Sequence, residues 1–136
     1  GKPGTMQERP DYGYVVAEVN SFLTAAVERC QLAGVSNDRL VVDPGFGFGK
    51  MLEHNLALFR ALSEICSVGL PVLVGVSRKA MLGTITGSPV GQRMAASVAA
   101  ALIAVQKGAK IVRVHDVAAT RDALAVWLAI QQGSQI

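Results

Sequence analysis

Three short stretches of this 136-residue chain carry residue types that could do chemistry. The first is Asp43-Pro44-Gly45-Phe46-Gly47-Phe48-Gly49-Lys50, a carboxylate ahead of a glycine loop holding two aromatic rings. The second is Ser77-Arg78-Lys79, and the third is Arg113-Val114-His115-Asp116. Arg113 and His115 alternate, so on a strand they share a face. With Lys79 they place three potential cations near one rim, which suits an anion such as phosphate or diphosphate.

The glycine loop fits neither familiar phosphate cradle. A P-loop needs glycine where Pro44 stands and Ser or Thr where Met51 stands. A GxGxxG dinucleotide fingerprint fails as well, because Gly49 is followed by Lys50 and Met51. What remains is a loop whose backbone can come close to a flat ligand. Asp43 is then either a turn aspartate ahead of Pro-Gly or a ligand-facing carboxylate. Phe46 and Phe48 either lie against a ligand or pack into the core, and core packing is expected of at least one. Lys50 reads as a solvated loop lysine and His54 as a helix-start residue. Arg113 alone reads as one half of an ion pair, and His115 alone as a cap or core histidine. Their position at matching strand ends argues for more. Two distant histidines without a carboxylate cluster make no usual metal-ligand set.

The elements that must position these residues follow from apolar spacing. Val15, Val19, Phe22, Leu23, Ala26, Cys30 and Ala33 recur at helical intervals from Tyr14, with Gly34 as a stop. Leu40-Val41-Val42 reads as a short buried parallel strand. A helix is expected over 54–66, with Leu56, Phe59, Leu62 and Ile65 or Cys66 inward. A second strand is expected over 71–77, a loop over 83–89 and an alanine-rich helix over 91–106 stopped by Gly108. A third strand is expected over 110–116, and a last helix over 118–131 with Leu124, Trp127 and Leu128 inward. Strands about 30 residues apart with helices between them predict βαβ units and a parallel sheet. Each predicted strand is apolar and turns polar at its carboxyl end, where parallel sheets gather function.

Composition narrows the class. Half the chain is apolar (51%), and the net charge of +3 is spread without Lys/Arg runs. No nucleic-acid partner is therefore expected. No long uncharged apolar run predicts a membrane span. Cys30 and Cys66, far apart and on apolar helix faces, are expected as buried free thiols of a reducing cytoplasm. The opening Gly1-Lys2-Pro3-Gly4 reads as a loop cut open rather than a signal peptide.

DPGFGFGK, LVGVSRKAMLG and IVRVHDV, in this order and spacing, resemble dihydropteroate synthase, and GKPGTMQ resembles the loop after that family's fifth strand. The resemblance covers essentially all of residues 1–136. It implies an α/β fold: part of a (β/α)₈ TIM barrel, the last three βα units (strands 6–8) plus the preceding helix. The chain would be the C-terminal half of a pterin-binding barrel domain. The family condenses 4-aminobenzoate with 6-hydroxymethyl-7,8-dihydropterin diphosphate in folate biosynthesis, releases diphosphate and is the sulfonamide target. By this resemblance Asp43, Gly75 and Lys79 face the pterin, and Phe48, Ser77 and Arg78 face 4-aminobenzoate. Arg113 and His115 hold diphosphate, and Asp43, Lys79, Arg113 and His115 carry the catalysis. An acceptor-only carboxylate suits the adjacent N–H donors of a pterin. Magnesium is implied, with its ligand in the N-terminal half, and a homodimer or strand-exchanged oligomer is implied as the assembly. A barrel of this kind needs about 250 residues, so no synthase activity is expected of this chain alone. A pterin-binding methyltransferase domain and a non-catalytic, self-associating half-barrel are the alternatives. SRK and RVHD favour the synthase, since a methyltransferase has no diphosphate to hold.

Overall fold

The computed structural model describes residues 12–47, 51–67 and 69–132. Phe48 and Lys50 lie outside the described residues, as does the GKPGTMQ opening. Helix α1 is Tyr12–Leu32. Helices α2 (Leu52–Arg60) and α3 (Leu62–Cys66) follow a short 3-10 turn at Asn37–Arg39. Strand β1 is Leu73–Val74, helix α4 is Ala80–Thr86 and helix α5 is Met94–Gln106. Strand β2 is Ile111–Val112 and helix α6 is Val117–Gln132.

The two strands pair in parallel, Leu73 with Ile111 and Val74 with Val112. Val42 joins the other edge of this sheet through a single parallel bridge to Val72. The expected strand at 40–42 is thus reduced to one bridge, and the reason is chemical. Val42 donates its N–H to the Pro71 carbonyl at 2.9 Å and accepts from Leu73 N–H at 2.8 Å. In a parallel ladder the next donors outward would be residues 71 and 44. Both are proline and have no N–H. The expected strands 71–77 and 110–116 are likewise shorter, reduced to Leu73–Val74 and Ile111–Val112.

The core lies where helices meet this sheet. Phe46, Leu58, Leu62, Ile65, Val72 and Val74 are fully buried. Met81, Leu82, Ala100 and Ala104 close it from α4 and α5. Helix α1 packs on α2, and α6 packs on α5. In α1 the inward stripe is Val16, Val19, Leu23 and Val27. Phe22, expected inward, is 65% exposed because it lies one step of about 100° round the helix from Leu23. Both glycine stops hold. Val35 N–H reaches Cys30 O and Gly34 N–H reaches Gln31 O; Ala109 reaches Ala104 O and Gly108 reaches Val105 O. Each pair is a Schellman closure around a left-handed glycine.

Several expectations need correcting. The 54–66 helix starts at Leu52 and breaks at Ala61, whose φ and ψ of −92° and 8° are no longer helical. The expected loop over 83–89 begins inside α4, because Met81 and Leu82 anchor that helix in the core despite Gly83. The alanine-rich helix begins at Met94, after a 3-10 turn at Val90–Gln92. Leu124 and Trp127 are only half-buried and Leu128 is exposed, since α6 buries fully only Thr120. Cys30 and Cys66 are free thiols, but half-buried rather than buried. Burial still pushes the Cys66 thiol up, with Lys110 pulling it partly back.

Candidate functional site

The three chemistry-bearing stretches emerge at the carboxyl ends of the three parallel segments. In the first, Asp43 Oδ1 accepts the Gly45 N–H at 2.8 Å, the turn role expected of an Asp ahead of Pro-Gly. The Asp43 side chain is nonetheless on the exposed surface. Phe46 turns inward, 1% exposed, and tilts against Phe59 with ring centroids 5.0 Å apart. Gly47 donates its N–H to Asn55 Oδ1 at 2.9 Å. Asn55 is 2% exposed, a residue the sequence reading missed. The clue was an amide in the middle of an apolar helix stripe, which a folded protein keeps only if it is hydrogen-bonded.

The second stretch turns sharply. Arg78 has φ of 59°, the one non-glycine residue with positive φ among the described residues. For an L-residue this conformation costs of order 1–3 kcal/mol, and its neighbours hold it there. Its N–H donates to Ser97 Oγ at 2.8 Å, and its carbonyl accepts from Arg93 at 2.9 Å. Ser97, 4% exposed, in turn donates to Arg93 O at 2.6 Å. The kink divides three consecutive side chains between the two other stretches. Lys79 Nζ donates to the Phe46 carbonyl at 2.6 Å. Arg78 pairs with Asp116 at 2.8 Å. Ser77 Oγ lies 2.8 Å from His115 Nδ1.

The third stretch continues the register of β2. Arg113 stands opposite Gly75, and a Cβ on Gly75 would come within 2.5 Å of the Arg113 guanidinium. His115 stands opposite Ser77, two residues further, so the alternation predicted for Arg113 and His115 persists. Asp116 heads α6; its carbonyl accepts both the N–H and the hydroxyl of Thr120. Asp116 Oδ2 is buried without a partner.

Lys79, Gly47 and Asn55 line a cavity of about 280 Å³ together with Leu52, Met81 and Thr84. The site is therefore a rim of backbone turns with a lysine, two arginines, an imidazole and two carboxylates. Gly75, which the resemblance gave to the pterin, here makes room for Arg113. Ser77 and Arg78, given to the aminobenzoate side, are tied to the third stretch. Among the described residues no group of three or more His, Cys, Asp or Glu side chains could hold a metal ion. No described helix is long and apolar enough to cross a membrane.

The model of the pterin-binding enzymes matches residues 1–115. The dihydropteroate synthase of Haemophilus influenzae is 54% identical over 129 residues, 95% of this chain and 47% of that protein. A dihydropteroate synthase from Coxiella burnetii, solved with pteroic acid, superposes with a TM-score of 0.84 at 41% identity, over 87% of this chain and 44% of its own. The Xanthomonas albilineans dihydropteroate synthase, solved with 4-aminobenzoic acid, gives 0.86 at 49% identity, over 96% of this chain and 47% of its own. The chain thus spans about half the length of the relatives it matches. These relatives favour the synthase over the methyltransferase alternative.

Proposed function

Because this chain belongs to the family of pterin-binding enzymes, we propose that it supplies about half of a dihydropteroate synthase site. The observation that carries this reading is the linkage of three strand-end loops through Lys79–Phe46, Ser77–His115 and Arg78–Asp116. The relatives solved with pteroic acid and 4-aminobenzoic acid support the substrate classes. In this reading the segments are strands 6–8 of a (β/α)₈ barrel, and the preceding helix is α1.

Asp43 takes the pterin's adjacent N–H donors. Its bond to Gly45 orients the carboxylate without exhausting its acceptor sites. In this reading Lys79 serves the pterin's acceptor edge, Gly75 keeps open the space that Arg113 borders, and Phe48, Ser77 and Arg78 serve the 4-aminobenzoate side. Arg113 and His115 face the diphosphate. The pterin methylene loses its C–O bond, and the electron pair leaves with diphosphate, where fixed cations stabilise the growing charge. The aniline nitrogen, held in line, forms the new C–N bond and gives up a proton. The described residues do not fit magnesium; in this reading its ligand belongs to the other half of the site. Free Cys30 and Cys66 suit a reducing cytoplasm. By itself this chain is expected to bind pterin but not to complete turnover.

Calorimetric titration with 6-hydroxymethylpterin tests the assignment, with Asp43→Asn as the control. Asparagine retains an oxygen for the Gly45 N–H, so the turn survives while the charge is lost. A charged hydrogen bond contributes about 1.5–3 kcal/mol, so affinity should fall by roughly 10- to 100-fold. Equal binding by both proteins, or none by either, overturns the role given to Asp43.

A further inference from the structure

We propose that Ser77 is a positioning residue that holds the neutral His115 ring as its Nε2–H tautomer. Two atoms of His115 converge on one hydroxyl. The backbone N–H of His115 donates to Ser77 Oγ at 3.2 Å. Nδ1 of the same residue lies 2.8 Å from that oxygen. The backbone nitrogen can only donate, so it occupies a lone pair of Oγ. The hydroxyl proton then needs an acceptor, and among the described residues the one within its reach is Nδ1. An Nδ1–H tautomer would aim a second donor at the oxygen and leave the hydroxyl proton without a protein acceptor. The arrangement that satisfies all three groups puts the ring proton on Nε2. The hydrogen bond at one ring nitrogen decides which nitrogen carries the proton.

Ser77 is itself fixed. Val76 before it is 3% exposed in the core. After it, the left-handed Arg78 is pinned by Ser97 and Arg93, and Lys79 N–H closes the turn onto Val76 O at 3.0 Å. The hydroxyl is therefore in place before any ligand arrives. The consequence for the proposed reaction, which rests on the reading above, is that neutral His115 turns a donor outward, the polarity a diphosphate oxygen requires.

The chain has two histidines, so His54 serves as an internal reference. Long-range proton–nitrogen correlation spectra of the ¹⁵N-labelled chain, recorded where the imidazoles are neutral, read the tautomer directly. The expected result is a single Nε2–H form for His115, with Nδ1 shifted by its hydrogen bond. Ser77→Ala should give a mixture of both tautomers, and Ser77→Thr should restore the single form. An Nδ1–H form in the wild type, or a His115 pattern indifferent to Ser77→Ala, overturns the proposal. Inorganic diphosphate titrated into the same samples separates the two readings. A fixed tautomer without diphosphate binding supports the role of Ser77 and counts only against the diphosphate assignment.

Discussion

Phe46 serves both halves of the structure through its two ends. Its ring fills the core against Phe59, and its carbonyl takes the ammonium of Lys79. Phe46→Ala is expected to cost about 3–5 kcal/mol, the usual price of removing a buried phenyl ring, read from urea unfolding. A loss below about 1 kcal/mol would mean the ring is not the core anchor described. That one phenylalanine of the glycine loop belongs to the core was legible from its sequence. The turn role of Asp43 was one of the two readings open in the sequence, and its bond to the Gly45 N–H agrees with it. Asn55 and the partners of Ser77 were not legible, because each depends on a residue 8 or 38 positions away. Local pattern carries no information about which distant backbone will arrive beside a hydroxyl or an amide.

At the scale of elements, the first turn of α5 acts as the support of the site. Ser97 and Arg93 satisfy the N–H and the carbonyl of Arg78 and so hold the left-handed kink. Ser97→Ala leaves the Arg78 amide without its buried acceptor. Stability should fall by about 1–3 kcal/mol, and Ser97→Thr, which keeps the hydroxyl, should recover most of it. Equal thermal unfolding of Ser97→Ala and wild type would show that α5 does not hold the kink. Helices α1, α5 and α6 and the glycine stops at Gly34 and Gly108 were legible from spacing. The short strand at 40–42 was overread, although Pro44 and Pro71 were in plain view, because strand length depends on donors in both partners. Helix α4 was missed because Gly83 argues locally against a helix, while burial of Met81 and Leu82 decides for one.

At the scale of the molecule, the sheet order is Val42, then β1, then β2, and α6 packs on α5. Val126 and Ile130, one helical turn apart on α6, are 61% and 74% exposed. Self-association through this face is expected to appear in sedimentation velocity as mass rising with concentration. Val126→Glu with Ile130→Glu should return it to monomer; association unchanged in that variant would place the contact elsewhere. The parallel α/β plan was legible because alternating helix and strand periods are a property of the whole chain. The outward face of α6 was not, since an apolar stripe does not say how much of it a neighbour covers. Among the described residues, the second loop of the rim holds hydrogen bonds to both of the others. The first loop ties to Lys79, and the third ties to Ser77 and Arg78. A change at Asp43 therefore has a route to His115 through three consecutive residues, Ser77 to Lys79. Substitutions in the two outer loops should combine additively, as independent sites do, and a departure from additivity that disappears when Arg78 is also replaced would trace the coupling to the kink.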